Sequence, residues 1–334
     1  MRQISIVVVL ILVSSVLVYF GLTSLGLLPA EASAQAETID WLLNIELIAI
    51  SFLFSIIVVP LIYSLVVFRR KPGEVGEGED ISGNTKIEII WTLIPLLIVL
   101  GLAYLGAWSL GDALKVDPQA MVVEVTAFQW GWKFYYPEYG LTTTELHIPV
   151  DKQILFEMES QDVIHSFWVP EFRLKQDVVP GRTTEVRITP REQGNFTLRC
   201  AELCGTSHSY MNAPVVVVSA DEFENWAQEQ IALIPEDTGP NADRGEILAN
   251  QNGCVACHSW DGSVLVGPTW KGLFGSEVEL ADGTTVIADE EYIKESILEP
   301  NARIVAGFPQ NAMPQYTLSD GEVADLIEFI KTLQ

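Results

Sequence analysis

The sequence predicts a multidomain chain: a transmembrane α-helical hairpin of two or three spans, then an all-β domain of Greek-key type, then an all-α domain. Three observations predict it. Long apolar runs are confined to the part before residue 112 of the 334. Short alternating segments fill Met121 to Ala220, and a helical pattern begins after Ala242.

Residues 4 to 20 (ISIVVVLILVSSVLVYF) form the first apolar run, after Arg2. The small residues Ala32-Ser33-Ala34 follow at a distance suited to leader cleavage. Residues 1–30 are therefore either a signal peptide or a first transmembrane helix. Residues 42 to 68 exceed the roughly 20 residues needed to cross the hydrocarbon core, and Arg69-Arg70-Lys71 follows directly. Those cations mark a cytoplasmic end. A polar connector, Pro72 to Gly83, leads to the apolar run Ile89 to Leu110, which must return outward. The hairpin is assigned to 38–112, with everything after Asp112 outside the cytoplasm. Glu88 stands at the cytoplasmic mouth of the last span; a solvated carboxylate is the ordinary reading there, but ionisable groups at membrane boundaries are functional candidates.

Net charge is −25, and from Pro118 onward 13 Lys and Arg face 33 Asp and Glu. So acidic a soluble part argues against nucleic acid; it fits either a general solubilising surface or the steering of a basic partner.

In the middle of the chain, assigned to 118–222, the strand-like segments are 122–127, 143–150, 153–159, 183–188, 195–200 and 214–218, separated by Pro, Gly and Asp turns. Short strands at this spacing argue for an antiparallel sandwich or barrel. The domain carries the string Cys200-Ala201-Glu202-Leu203-Cys204-Gly205-Thr206-Ser207-His208-Ser209-Tyr210-Met211, with His165 upstream in Asp162-Val163-Ile164-His165-Ser166-Phe167-Trp168. Two thiolates, two imidazoles and a thioether are a soft ligand set that selects copper or zinc, and the thioether favours copper. Two thiolates could bridge two copper ions, each also holding one imidazole. On the residues alone, a Cys200–Cys204 disulfide or a zinc site remain alternatives.

The string, the DVIHSFWVP segment, Lys175-Gln176-Asp177-Val178-Val179-Pro180-Gly181-Arg182 and the EIIWTLIP string of the hairpin resemble cytochrome c oxidase subunit II over about residues 38 to 220. The resemblance implies a cupredoxin fold with a binuclear CuA centre. His165, Cys200, Cys204, His208 and Met211 would be ligands, with Glu202 contributing its backbone carbonyl. It further implies that Glu202 helps bind a magnesium ion at the junction with subunit I, and that Glu88 is the carboxylate at the entrance of a proton-uptake channel. Ala127-Phe128-Gln129-Trp130-Gly131-Trp132-Lys133-Phe134-Tyr135-Tyr136 resembles the family's aromatic segment, with Trp130 as the residue through which electrons reach the copper site; an aromatic core strand is the plainer reading of most of these rings. Quinol-oxidising relatives lack the copper ligands, and this chain has all of them.

After a linker from about Leu233 to Ala242, residues 240–334 form the last domain. Asp243 to Asn250 is helical in pattern and leads to Asn252-Gly253-Cys254-Val255-Ala256-Cys257-His258. Two thiols two residues apart reach both vinyl groups of one haem, and the adjacent His lies beneath the iron, so Cys254, Cys257 and His258 read as covalent haem c attachment. A thioredoxin-like pair would need a βαβ context that is missing. Met313, in Gln310-Asn311-Ala312-Met313-Pro314-Gln315-Tyr316, is the candidate distal ligand. Class I cytochromes c resemble this segment, Gly267-Pro268-Thr269-Trp270-Lys271-Gly272-Leu273-Phe274-Gly275, and the terminal helix Asp320 to Leu333. His/Met ligation raises a haem's potential, which suits a carrier feeding an oxidase. His147 lies in a strand pattern, where surface or core packing is the ordinary reading, and is given no functional role.

Together the resemblances imply an integral subunit of a caa-type oxidase in a bacterial cell membrane, with its CuA and haem c domains on the outer face. Electrons would come from a soluble cytochrome c or a membrane complex, pass through haem c and CuA, and leave for subunit I, where oxygen is reduced with coupled proton movement; subunit III is a further partner. The rival is a tethered electron carrier or the corresponding subunit of another reductase, since CuA domains also occur in nitrous oxide reductase. The hairpin with Glu88 favours the oxidase.

Overall fold

The computed structural model describes residues 2–70, 72–73, 75–76, 83–234, 239–263, 265–316 and 318–334. Lys71 of the cationic cluster, residues 74 and 77–82 of the expected connector, and residues 235–238 of the expected linker lie outside the described residues. Two units divide the chain: the first holds Met1–Pro118, Pro170–Leu174 and Arg187–Arg191, the second the remainder from Gln119 onward.

Three helices dominate the first unit, α1 (Arg2–Ser24), α2 (Ala34–Val67) and α3 (Thr85–Ala113). All three are long and apolar enough to cross a membrane. At 1.5 Å per residue the 34 residues of α2 extend about 50 Å, beyond a hydrocarbon core of about 30 Å. Polar contacts join α1 and α2: Ser55 Oγ donates to Ser14 Oγ at 3.1 Å, Tyr19 OH to Asn44 Oδ1 at 2.7 Å, and Tyr63 OH to Gln3 Oε1. α2 starts within the small-residue stretch considered for cleavage. There Ser33 is the N-cap, its hydroxyl accepting from Ala36 N–H at 3.1 Å and donating to the Phe172 carbonyl at 3.0 Å. Asn84 caps α3 in the same way, because its side-chain oxygen accepts from Lys86 and Ile87 N–H.

In the second unit the strands are β1 (Met121–Phe128), β2 (Gly131–Tyr136), β3 (Leu141–Thr143), β4 (Leu146–Pro149), β5 (Ile154–Ser160), β6 (His165–Trp168), β7 (Lys175–Val178), β8 (Thr184–Ile188), β9 (Gly194–Cys200) and β10 (Asn212–Val218). They form two five-stranded sheets, ordered β3-β2-β1-β5-β8 and β4-β10-β9-β6-β7. Most of the described strand pairs are antiparallel, but β1 pairs with β5, and β4 with β10, in parallel, so the sheets are mixed where the sequence predicted antiparallel ones; long connections bring these sequence-distant strands side by side. Alternation puts Val123, Val125, Phe156, Met158, Leu198 and Val215 inside, and Phe156 meets Phe167 across the sheets at 4.9 Å between ring centroids. This is the expected all-β sandwich.

Helix α4 (Ala220–Leu233) closes one end behind a Ser219/Glu222 capping box, and its Trp226 stacks on His147 at 4.1 Å, which gives His147 a packing role. The all-α domain follows as α5 (Ala242–Gln251), a minor hairpin of β11 (Glu277–Glu279) and β12 (Thr285–Ile287), then α6 (Glu290–Leu298) and α7 (Asp320–Thr332). α5 and α7 cross at Gly245, where an added Cβ would lie 2.0 Å from the Asp325 carbonyl oxygen. Arg244 clasps the Asp325 carboxylate through Nε and Nη2, each at 2.8 Å, beside that crossing.

Candidate metal centre and haem pocket

The candidate metal-ligating side chains come from two adjacent strands and the loop that follows one of them. His165 opens β6 and Cys200 ends β9. Beyond Cys200, the loop is held by bonds from Ala201 N–H to the Ser166 carbonyl (3.0 Å) and from Cys200 N–H to the Met211 carbonyl (3.1 Å), which bring Met211 back beside Cys200. A short 3-10 turn, His208–Tyr210, then aims His208 inward.

Donor atoms of His165, Cys200 and Cys204 all lie within 4.8 Å of one another. The Cys200 and Cys204 sulfurs are 3.7 Å apart and unbonded. His165 Nδ1 lies 3.8 Å from the Cys200 sulfur, His208 Nδ1 3.4 Å from that of Cys204, and Met211 Sδ 3.7 Å from the same atom. The Glu202 carbonyl accepts from Cys200 Sγ–H at 3.2 Å, while the Glu202 side chain is exposed. The five side chains read from the residues, and the Glu202 carbonyl that the resemblance added, thus meet in one place.

Asp162 is a partner that sequence reasoning passed over, although it sits in the quoted string three residues before His165. Its carboxylate accepts from His165 Nε2 at 2.8 Å, Gln129 N–H at 2.6 Å and Val163 N–H at 2.6 Å. The Nε2 bond turns Nδ1 toward the sulfurs. Burial pushes the His165 pKa down, but the bonds to Asp162 and Cys200 outweigh it and carry it to about 8. Burial likewise raises the Cys200 thiol, yet its bonds with His165 and the backbone bring it to about 6. Cys204 moves oppositely, to about 12, through burial and the charge on Cys200.

Trp130 lies in the β1–β2 turn. Its Nε1–H and the Gln129 side-chain amide both donate to the Cys204 carbonyl, at 3.1 and 2.6 Å. Gly205, with φ +119°, leaves room for both, since a Cβ there would lie 2.9 Å from Gln129 Nε2 and 3.1 Å from Trp130 Cζ2.

Cys254, Cys257, His258 and Met313 line one cavity of about 500 Å³, walled by apolar side chains that include Ile293, Ile297, Leu326 and Ile330. His258 Nδ1 donates to the Pro268 carbonyl at 2.8 Å, and its ring stacks on Trp270 at 5.0 Å. That bond leaves Nε2 as the nitrogen that could ligate, and burial lowers the ring's pKa, which favours the neutral form a metal would need. A Cβ at Gly267 would come within 2.9 Å of His258 Cε1, so glycine permits this packing. Two thiols, an oriented imidazole and a thioether facing one apolar cavity fit a covalently held haem; the thiol, imidazole and thioether set around Cys200 and Cys204 fits a soft metal. Gln129, Trp130 and Tyr316 also line the cavity.

Glu88 lies in the first turn of α3, exposed, with its carboxylate accepting the Asn84 N–H at 3.2 Å. That contact caps the helix start, and nothing else in the site involves it.

Three families match the chain: "Cytochrome C oxidase subunit II, transmembrane domain" over residues 22–110, "Cytochrome C oxidase subunit II, periplasmic domain" over 141–220, and "Cytochrome c" over 242–334. Cytochrome c oxidase subunit 2 of Alkalihalophilus pseudofirmus is 33% identical over 316 residues, covering 92% of this chain and 90% of that protein. The Bacillus subtilis protein of the same name is 32% identical over 294 residues, covering 81% of this chain and 82% of its own length. A solved periplasmic domain of subunit II of cytochrome oxidase from Bradyrhizobium japonicum is 31% identical and covers 34% of this chain and 96% of that one, with a TM-score of 0.33.

Proposed function

The chain belongs to the cytochrome c oxidase subunit II family, with a C-terminal cytochrome c domain, and from that premise we propose that it takes electrons from a donor and delivers them to subunit I through covalent haem c and a binuclear CuA centre. It is a membrane protein and a subunit of an oxidase. Oxygen reduction belongs to subunit I.

The observation that carries the reading is the convergence of His165, Cys200, Cys204, His208 and Met211 on one point, with the two sulfurs 3.7 Å apart. Cys200, Cys204, His165, His208, Met211 and the Glu202 carbonyl would hold the coppers, and Cys254, Cys257, His258 and Met313 would hold the haem. When bound, these groups supply one-electron carriers. The protein's part is to hold them still: Asp162 and Pro268 orient the imidazoles, and buried Met211 and His165 keep water out. Trp130, bonded to the Cys204 backbone and lining the haem cavity, is assigned to electron passage.

Further assignments rest on the family. Glu202 is a magnesium ligand at the subunit I junction, and Glu88 the carboxylate at a proton-channel entrance. Arg69 and Arg70 after α2 support a cytoplasmic connector, with both soluble domains on the outer face. The donor is a soluble cytochrome c or a membrane complex, and subunit III a neighbour.

Metal analysis and paramagnetic resonance of the purified oxidase test this. Two coppers with a mixed-valence signal and one haem iron per chain are expected; zinc, or a Cys200–Cys204 disulfide without copper, would overturn it.

A further inference from the structure

We propose that Lys133 is a positioning residue that latches the cytochrome domain onto the β-sandwich with the haem cavity against Trp130. The proposal rests on the electron-carrier reading only for its purpose, not for its geometry. Lys133 Nζ, on β2, donates to Asn252 Oδ1 at 2.7 Å, across the boundary between the sandwich and the haem-attachment loop. Asn252 is buried and already committed: its Nδ2 donates to the Leu248 carbonyl at 2.8 Å, which leaves Oδ1 facing the ammonium, and its own carbonyl accepts from Tyr316 OH at 3.2 Å. The residue that receives the latch is therefore fixed to both α5 and the segment carrying Met313.

Three contacts surround this bond. The ammonium stands 5.6 Å over the Phe128 ring. Phe128 in turn presses on Gly253, where a Cβ would lie 2.6 Å from Cε2 and where φ is +69°; only glycine allows both. Gln251 Nε2 donates to the Thr142 carbonyl at 2.6 Å. Four consecutive positions, Gln251 to Cys254, thus run from three sandwich contacts straight into the Cys254/Cys257 pair, and Gln129 and Trp130 close the cavity wall beside them. Burial depresses the Lys133 pKa, a sign that the ammonium is shielded from water. The latch is a cation on a neutral oxygen, backed by an aromatic ring and a backbone bond. Docking of this kind is far less sensitive to salt than an exposed ion pair.

Lys133→Met keeps the stem and removes the donor. In the complete oxidase, hydrogen exchange should rise by about tenfold in the turn 128–131 and the loop 251–257, since a bond to a charged group is worth at least that factor in an opening equilibrium. Exchange in β9 should not change, which separates undocking from a loosened sandwich. Broadening of the copper resonance by oxidised haem should weaken, and Lys133→Arg should restore both signals. Unchanged exchange in both segments would overturn the latch. If Lys133→Met fails to accumulate, Gln251→Ala decides by the same exchange readout. Copper and haem content are read on the same samples: their absence from the parent enzyme overturns the electron-carrier reading, while exchange alone decides the docking.

Discussion

The indole Nε1–H of Trp130 donates to the carbonyl oxygen of Cys204 at 3.1 Å, tying the aromatic turn between β1 and β2 to the backbone of one of two facing thiols. The same ring lines the cavity that holds Cys254, Cys257 and His258. One side chain therefore touches both the loop that carries the two thiols and the cavity.

Trp130→Phe keeps a ring and removes the donor. Electron delivery should slow by at least roughly tenfold, or about 1.4 kcal/mol of barrier, with copper and haem content unchanged. Turnover equal to the parent would remove Trp130 from the route.

The α5–α7 crossing should be the weak point of the cytochrome domain. Gly245→Ala forces a methyl into the Asp325 carbonyl and should cost about 1–3 kcal/mol. Asp325→Asn removes the charged acceptor that Arg244 Nε and Nη2 each meet at 2.8 Å and should cost about 1.5–3 kcal/mol. Thermal unfolding followed at the haem band measures both, and an unchanged midpoint would contradict the packing argument.

Copper uptake by chelator-stripped protein should release protons at neutral pH. Cys204, near 12, and His165, near 8, hold protons that the metal must displace, whereas Cys200, near 6, has largely given its up. The stripped protein's own stability follows from the same shifts. His165, raised above 6.5, contributes fully below 6.5 and loses its contribution as pH rises through about 8. Cys200, depressed from 9.0, contributes fully above 9.0 and loses its share as pH falls through about 6. Between 6.5 and 8 the two slopes oppose, so stability should be flat while copper affinity climbs. Calorimetry in buffers of different ionisation heat reads the proton count; affinity that ignores pH would refute the assignment.

Arg173 anchors a loop to α2. Its Nε and Nη2 meet the two Asp40 oxygens at 2.8 and 2.9 Å, Nη2 also reaches the Pro29 carbonyl at 2.7 Å, and its backbone takes φ +63°. Lysine cannot make the fork, so Arg173→Lys should cost about 1.5–3 kcal/mol, read as a lower thermal midpoint of the oxidase. Equal midpoints would show the fork to be incidental.

Much of this was legible before folding. Continuous apolar runs can only be spans or buried helices, and their lengths left two or three spans. Period-two alternation exposed β1, β4, β5, β8, β9 and β10. It did not expose β6, whose first three residues are all buried, or β2, where aromatic residues occupy both faces and hide the period. α4 and α6 were not assigned either, although Ser219 with Glu222, and Asp289, are cap signals that could have shown both.

The sequence by itself determined the candidate donors, because C-x3-C-x3-H-x2-M and C-x-x-C-H set most of them close together in the chain, with His165 and Met313 standing outside those strings. Only the tertiary structure decided what orients those donors and what joins the two sites: Asp162 on His165, Pro268 on His258, Trp130 on Cys204 and Lys133 on Asn252. The physical reason is that such contacts depend on single hydrogen bonds made where strands and loops happen to meet. Unlike hydrophobic burial, a lone hydrogen bond imposes no period on the chain.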